Sequence, residues 1–289
     1  MRLFVTKPQG YCFGVTRAID LALKVRSDFP NAKITVVGML VHNDEVTKLL
    51  EYNQISTKKG LKHKLIDFLR NVDPSTHLIF TAHGHPVEFN KIAHERNLII
   101  HDATCKMVQL SLDKIKENLL SGHQVIYIGK KGHPEVEAAL SISNNIFLYT
   151  NNKDFDFSKI TDESPYVINQ TTLSIFEIQS YHQRIMQRIP GARIVDEICN
   201  ATRLRQEAVM KIPGEVDLIY IVGGDQSSNT AKLVEIAKLT HPDSIVKRIK
   251  TVADIDVNDL KAVTYIGISS GASTPPHLVD EIIHFLEGF

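Results

Sequence analysis

The chain has 289 residues, 43% of them hydrophobic, and equal numbers of basic and acidic residues give it a formal net charge of zero. This balance argues against a nucleic-acid partner, which would favour a basic surface, and no stretch approaches the roughly 18 consecutive apolar residues of a membrane span. The N-terminal apolar stretch is too short for a signal peptide, so we expect a cytoplasmic protein without a membrane partner. The three cysteines are an odd number, which argues against a disulfide framework.

The first third of the chain alternates between predicted strands and helices, a pattern typical of parallel βα units. Cys12 lies in a glycine-flanked turn before the first helix, and His42 and His83 follow the second and third strands. We predict strands over residues 3–5, 34–37, 78–80 and 98–100, and helices over residues 15–25, 44–50, 61–69 and 87–96.

The rest of the chain repeats this plan twice. Cys105 and Cys199 each precede a helix, and the strand after each of these helices ends in a polar, glycine-containing segment. The predicted elements are strands 125–128, 166–168, 192–195, 218–222 and 263–268 and helices 106–120, 202–210 and 277–286.

The cysteines occupy equivalent positions in this repeat, with 93 residues from Cys12 to Cys105 and 94 from Cys105 to Cys199. We therefore expect an α/β protein with three lobes in a pseudo-threefold trefoil, each lobe a small, mainly parallel sheet with flanking helices. The expected lobes are residues 14–104, residues 105–198, and residues 199–289 completed by residues 1–13. Each cysteine would then lie at the carboxyl edge of a sheet, where open α/β folds bind ligands.

Three cysteines that meet at one centre indicate a metal or cluster site. A single free cysteine is usually only a small buried hydrophobe, but the equal spacing and context of all three favour a shared role. Structural zinc usually takes four ligands and uses C-x-x-C pairs, which this chain lacks. An iron–sulfur cluster is the alternative. Three thiolates would leave one iron of a four-iron cluster open to substrate, and a three-iron cluster is also compatible with the sequence.

A second group of polar residues recurs at the predicted strand ends, where glycine-rich turns with free N–H groups suit phosphate. No Walker lysine motif is present. Five further histidines are interpreted as structural or exposed: His63, His77, His94, His123 and His241. The candidate anion-binding residues are His42, His83, His133, Ser227, Ser228, Asn229 and Ser273.

Glu135 lies two residues after His133, where a carboxylate would repel a bound anion. It is better suited to donate a proton, and Gln170 and Thr171 are candidates to orient that proton path. The competing interpretation is a carboxylate that is favoured at a helix start by the macrodipole.

The motifs, in this order, resemble the 4-hydroxy-3-methylbut-2-enyl diphosphate reductase family, which catalyses the last step of the non-mevalonate isoprenoid pathway. The resemblance covers the whole chain. It rests on GYCFGV (10–15), VHN (41–43), AHG (82–84), DATC (102–105), GHPEV (132–136), NQTTLS (169–174), ICNAT (198–202), SSN (227–229) and GAS (271–273).

The resemblance implies three α/β lobes around one [4Fe–4S] cluster, with Cys12, Cys105 and Cys199 as ligands and one iron open. It implies reductive removal of the substrate's allylic hydroxyl with two electrons and two protons, to give isopentenyl and dimethylallyl diphosphates. The electrons would come from ferredoxin or flavodoxin. The matching histidines, serines and asparagine would hold the diphosphate, and Glu135 would deliver protons.

The sequence departs from the family pattern at two positions that bear on the site. Gln9 replaces a common arginine, and Asp225 places an acid just before the Ser-Ser-Asn motif. An inward-facing Asp225 would weaken anion binding. Two other functions fit the residues: a non-redox hydro-lyase that uses an open iron only as a Lewis acid, and a non-catalytic cluster-binding sensor.

Overall fold

The structure is a computed structural model that describes residues 1–150 and 155–289. The strands are β1 Arg2–Val5, β2 Ile34–Val37, β3 Ile55–Lys58, β4 His77–Phe80, β5 Ile99–Asp102, β6 Val125–Ile128, β7 Ile146–Tyr149, β8 Tyr166–Asn169, β9 Arg193–Ile194, β10 Leu218–Val222, β11 Ile245–Ile249 and β12 Tyr265–Ser270. The helices are α1 Phe13–Asp28, α2 Asp44–Tyr52, α3 Lys62–Asn71, α4 Val87–Glu95, α5 Lys106–Leu120, α6 Pro134–Leu140, α7 Ile175–Arg188, α8 Asn200–Met210, α9 Ser228–Thr240, α10 Val257–Leu260 and α11 Pro276–Glu287. Short 3₁₀ turns occupy Phe157–Lys159 and Val252–Asp254.

Within the described residues, these strands form three four-stranded sheets in the orders β3-β2-β4-β5, β7-β6-β8-β9 and β1-β12-β10-β11. All the pairings in them are parallel. The central strands β2, β4, β6, β8, β10 and β12 are buried along their whole length. Their mostly apolar sequences are typical of parallel sheets that helices cover on both faces. The predicted class of α/β protein with parallel sheets and flanking helices is confirmed.

The sequence prediction missed one edge strand in each sheet: β3, β7 and β11. These strands have four or five residues and several partly exposed side chains. An edge strand is paired on one side only, so it does not need the continuous apolar run that marks a central strand. α2 begins at Asp44 as predicted and ends two residues later than expected, whereas α3 begins one residue and ends two residues later than expected.

The described residues cluster into two compact units. The first unit contains residues 1–15, 42–46 and 199–289, and the second contains residues 16–41 and 47–198. The lobe boundaries expected from the sequence remain a prediction. No helix among the described residues is both long enough and apolar enough to cross a membrane.

Alternating residues of the central strands fill two separate cores in the first unit. Ile219 and Ile221 pack with Leu233 of α9, whereas Tyr220 packs with Ile282 of α11 on the opposite face. The period of two follows from the strand pleat. The second unit uses the same rule around β6, where Tyr127 and Ile126 enter different cores. In each unit, the carboxyl ends of the central strands therefore belong to a sheet with a packed core on both faces.

Candidate active site

The three cysteines all lie at helix starts. Cys105 is the N-cap residue of α5, Cys199 is the N-cap residue of α8, and Cys12 directly precedes α1. None of the three forms a disulfide, and all three are partly buried. The N-terminus of a helix favours negative charge, and thiolates are the form that binds metals. The cysteine placements therefore suit thiolate ligands better than fully buried hydrophobes.

In the first unit, the loop that carries Cys12 is fixed to the end of β12. The backbone N–H of Cys12 donates to Ala272 O at 2.9 Å, and the N–H of Gly10 donates to Ser270 Oγ at 3.0 Å. Gly10 has a φ of +67°, and a Cβ atom there would lie 3.0 Å from the side chain of Pro276. The loop therefore requires glycine at this position.

No group of three or more His, Cys, Asp or Glu side chains in residues 1–150 and 155–289 is placed to hold a single metal ion. A cluster has different requirements, because its thiolates bind separate iron atoms. Cys12 and Cys199 belong to the first unit, and Cys105 belongs to the second.

The candidate anion-binding residues of the first unit surround the start of α9. Ser227 is the N-cap residue. Its Oγ accepts two hydrogen bonds from Thr230, one from the backbone N–H at 3.2 Å and one from the hydroxyl at 2.9 Å. The hydroxyl of Ser273 donates to the backbone oxygen of His42 at 3.4 Å. Ser228 is the first residue of the helix. The predicted residues in this unit thus share one helix start and the loop ends next to it.

Asn229 is the most informative residue of this group. It is only 5% exposed, yet neither Nδ2 nor Oδ1 forms a hydrogen bond with the described residues. Buried amides nearly always have partners, and each unmet group costs about 1–3 kcal/mol. An amide of this kind at a helix N-terminus is suited to bind an anionic ligand.

Asp225 does not act as an uncompensated negative charge beside these residues. Its exposed carboxylate forms ion pairs with Arg248 at 3.1 Å and Lys250 at 3.0 Å. The hydrogen bond from Lys250, together with both positive charges, lowers the pKa of Asp225. Arg248 and Lys250 therefore offset the negative charge of Asp225, the acid that departs from the family pattern. At the other departure, the Nε2 of Gln9 is buried without a hydrogen-bond partner among the described residues.

In the second unit, Cys105, His83 and His133 lie close together. The N–H of Cys105 donates to Ala82 O at 2.9 Å, next to His83. The rings of His83 and His133 are perpendicular, with centroids 5.7 Å apart. His133 is the N-cap residue of α6, and its Nδ1 accepts the N–H of Glu135 at 3.2 Å. This hydrogen bond assigns the ring proton of a neutral His133 to Nε2.

Glu135 is 2% exposed and is held by the end of β8 and by β6. Its Oε1 accepts the backbone N–H of Thr171 at 2.8 Å and the hydroxyl of Tyr127 at 3.2 Å, and its Oε2 contacts the Thr171 hydroxyl at 3.0 Å. Burial raises the pKa of Glu135 to about 7, although these hydrogen bonds act in the opposite direction. Glu135 therefore exchanges a proton near neutral pH. Oε2 is suited to carry it, because a hydroxyl partner can accept as well as donate.

Gln170 stabilises the turn that leads into His133. Its Oε1 accepts the N–H of Lys130 at 3.0 Å, and its Nε2 donates to Thr172 Oγ1 at 2.8 Å. The side chain is fully buried. The structure therefore supports a positioning role for Gln170, whereas Thr171 contacts the acid directly.

Sequence reasoning missed Tyr127. The signal was a tyrosine in the otherwise aliphatic strand β6, since a buried tyrosine hydroxyl usually requires a partner. Burial raises the pKa of Tyr127 well above its usual value, and the charge of Glu135 adds to this effect. Tyr127 is therefore a hydrogen-bond donor to Glu135 and not a proton source near neutral pH.

We expect Tyr127→Phe to raise the pKa of Glu135. The hydrogen bond from Tyr127 stabilises the ionised carboxylate, and the variant removes this bond. Loss of a hydrogen bond of about 1.5 kcal/mol corresponds to a rise of about one unit in the pKa. Infrared difference titration of the carboxyl band would measure this change. Tyr166→Phe, at the opposite end of β8, is the matched control. An unchanged titration midpoint in Tyr127→Phe would refute the assigned contact.

Comparison with known proteins shows full-length similarity to one group. The family described as LytB protein matches residues 3–287. The 4-hydroxy-3-methylbut-2-enyl diphosphate reductase of Brevibacillus brevis is 36% identical over 291 residues, which cover 100% of this chain and 92% of the relative. The enzyme of the same name from Lysinibacillus sphaericus is 35% identical, with 100% and 89% covered.

Two solved structures are also similar. The E-1-hydroxy-2-methyl-but-2-enyl-4-diphosphate reductase of Plasmodium falciparum superposes with a TM-score of 0.88 and 29% identity, over 99% of this chain and 87% of that chain. A second structure, described as (E)-4-hydroxy-3-methyl-but-2-enyl diphosphate reductase, the terminal enzyme of the non-mevalonate pathway, gives a TM-score of 0.70 and 26% identity over the full length of both chains.

Proposed function

The chain belongs to the LytB protein family, and on this premise we propose that it removes the allylic hydroxyl of 4-hydroxy-3-methylbut-2-enyl diphosphate by reduction. The products would be isopentenyl and dimethylallyl diphosphates. The observation that carries the proposal is Glu135, a fully buried acid with a pKa raised to about 7. A hydroxyl leaves as water only when a proton reaches its oxygen, and a general acid works best when its pKa is near the working pH.

The cysteines fit an iron–sulfur cluster in number, redox state and surroundings. They lie at helix starts and form no disulfide, and three of them would leave one iron of a [4Fe–4S] cluster open. When bound, such a cluster supplies electrons together with a Lewis-acidic site for the substrate oxygen. A cytoplasmic location is part of the proposal, because free cysteines suit a reducing compartment. Ferredoxin or flavodoxin, implied by the family resemblance, would supply the electrons.

The substrate diphosphate accounts for the polar residues at the strand ends. The buried amide of Asn229 and the start of α9 fit an anion in the first unit. In the second unit, the rings of His83 and His133 lie together, with centroids 5.7 Å apart. As the resemblance implies, we assign diphosphate binding to His42, His83, His133, Ser227, Ser228, Asn229 and Ser273.

The protein's own chemistry is the delivery of protons. The reaction consumes two electrons and two protons: the C–O bond breaks, one proton leaves with the hydroxyl as water, and the other becomes bonded to carbon. We assign proton delivery to Glu135. The hydroxyl of Thr171 contacts Oε2 and can relay a proton from the carboxyl, whereas Gln170 fixes the adjacent turn.

Product analysis under anaerobic conditions tests this function. Purified protein reconstituted with iron and sulfide is incubated with the allylic diphosphate, with and without dithionite. We expect both isoprenoid diphosphates to appear only with the reductant. A dehydrated product that forms without the reductant would instead establish a hydro-lyase. A cluster-containing protein with no pyrophosphate affinity would indicate a sensor.

Asn229 gives a test of the diphosphate site that does not need the cluster. We expect Asn229→Leu to weaken the binding of inorganic pyrophosphate about tenfold or more, because a hydrogen bond to a charged ligand contributes about 1.5–3 kcal/mol. The same change should stabilise the ligand-free protein, because it removes a buried amide without partners. Calorimetric titration and thermal unfolding measure the two effects.

The control is Asn169→Leu. Asn169 is also buried, but its amide donates to Gln170 O and accepts from the N–H of Glu197. The same substitution there should destabilise the protein. If Asn229→Leu lowers the unfolding temperature and leaves pyrophosphate affinity unchanged, Asn229 is an ordinary structural residue.

A further inference from the structure

Arg205 is a buried cation without an acidic partner. It lies in α8, six residues after Cys199, and is only 2% exposed. Arginine is almost never fully buried unless it is paired. No carboxylate forms an ion pair with Arg205 in the part of the chain that the structure describes. Its positive charge must therefore be balanced in another way.

The guanidinium joins the backbone segments next to two of the cysteines. Its Nη2 donates to Gly10 O at 2.7 Å, two residues before Cys12. Its Nη1 donates to Ala201 O at 2.8 Å, two residues after Cys199. Both contacts lie within the first unit. Its Nε is buried and has no hydrogen-bond partner among the described residues.

The electrostatic surroundings of Arg205 explain how this charge is tolerated. Burial lowers the pKa of the guanidinium, whereas the negative charges of Cys12 and Cys199 raise it. An arginine stays protonated in proteins. The two hydrogen bonds place the guanidinium beside the segments that carry Cys12 and Cys199, so negative charge on these sulfurs or on a cluster that they hold would offset its buried positive charge.

We propose that Arg205 is a positioning residue for the cluster, whose buried positive charge stabilises the thiolate ligands Cys12 and Cys199 and raises the reduction potential of the cluster that they hold. This inference rests on the proposed function. Accepting an electron makes a cluster more negative, so a fixed positive charge stabilises the reduced form more than the oxidised form. Net charge and hydrogen bonding around the ligands are established controls of cluster potential. The effect is strong where water is excluded.

The test compares cluster midpoint potentials, measured by anaerobic redox titration, in four proteins. Arg205→Gln removes the charge, Arg205→Lys keeps it, and the unchanged protein is the reference. Lys211→Gln removes a positive charge from the exposed C-cap of the same helix and is the control. We expect Arg205→Gln to show a more negative potential, with Arg205→Lys and the control close to the reference. A purely structural role would lower stability without moving the potential.

Cluster uptake gives the second measurement. If Arg205→Gln fails to bind iron and sulfide while Arg205→Lys binds them, the requirement is for charge, and the proposal holds. If both variants lose the cluster, or if Arg205→Gln keeps the reference potential with full iron content, the proposal is overturned. Failure of the unchanged protein to assemble any cluster would refute the proposed function itself.

Discussion

Replacing Glu135 with glutamine should lower turnover by about 10²–10⁴-fold, the range that general acid catalysis contributes. Glutamine keeps the shape of the side chain but has no dissociable proton. The burial of Glu135 and its contacts to Thr171 and Tyr127 hold the carboxyl in one position. Water therefore cannot easily take the place of this carboxyl as the proton donor. Steady-state turnover with the allylic diphosphate and dithionite measures the effect.

Glu137→Gln is the matched control, because Glu137 is the other glutamate in the first turn of the same helix. Only Glu135→Gln should lose activity, and its iron content and pyrophosphate affinity should stay near those of the unchanged protein. Full turnover in Glu135→Gln would move proton delivery to Thr171 or to the substrate phosphate. Loss of the cluster would instead favour the structural, helix-start interpretation of Glu135.

The same variant has a stability signature that requires neither cluster nor substrate. The folded-state pKa of Glu135 is about 7, compared with 4.5 as its ordinary value. Between these values the folded protein binds more protons than the unfolded chain, so its free energy of unfolding falls as the pH rises. The contribution of this group amounts to about 3 kcal/mol. Denaturant unfolding at pH 4.5 and pH 7 measures this fall. The free energy of unfolding should decrease less between the two pH values in Glu135→Gln than in the unchanged protein.

The parallel sheets could be predicted because their central strands have a recognisable sequence pattern. Val125–Ile128 and Leu218–Val222 are uninterrupted apolar runs, and each is followed by a polar turn and a helix. Burial on both faces requires such a run. The placement of Cys105 and Cys199 at helix starts followed from the same alternation, and the N-cap positions confirm it.

The edge strands could not be predicted in the same way. Ile55–Lys58 contains one fully buried residue and ends in an exposed lysine, so its sequence is no more apolar than that of a loop. Its strand conformation comes from pairing with β2. Tertiary pairing, which a local sequence pattern does not contain, decides the structure of this segment.

The chemistry around Glu135 was predictable only in part. Its position after His133 marked it as a candidate acid, but the pKa depends on burial and on partners that lie 8 and 36 residues away in sequence. The parallel pairing of β6 with β8 places Ile128 opposite Asn169. This register brings Thr171 to the carboxyl, and a sequence without known strand pairing cannot supply it.

Each of Cys12→Ser, Cys105→Ser and Cys199→Ser should lose nearly all cluster iron and sulfide, and reductase activity with it. A serine hydroxyl stays protonated at pH values where a thiol near a helix N-terminus ionises, so it is a much poorer ligand. Loss of one ligand from three leaves too few attachments to retain a cluster. Iron and sulfide analysis with electronic spectra of anaerobically purified protein measures the outcome.

Alanine variants separate this role from simple packing. If the cysteines were only small buried hydrophobes, Cys105→Ala would keep activity and Cys105→Ser would chiefly lose stability. The partial exposure of all three thiols argues against that role. We expect alanine and serine variants to lose the cluster equally, while Thr104→Ser, which alters the neighbouring residue and leaves the thiols intact, retains it. A cysteine whose alanine variant holds full iron content and activity is not a ligand, and the three-cysteine cluster would have to be abandoned.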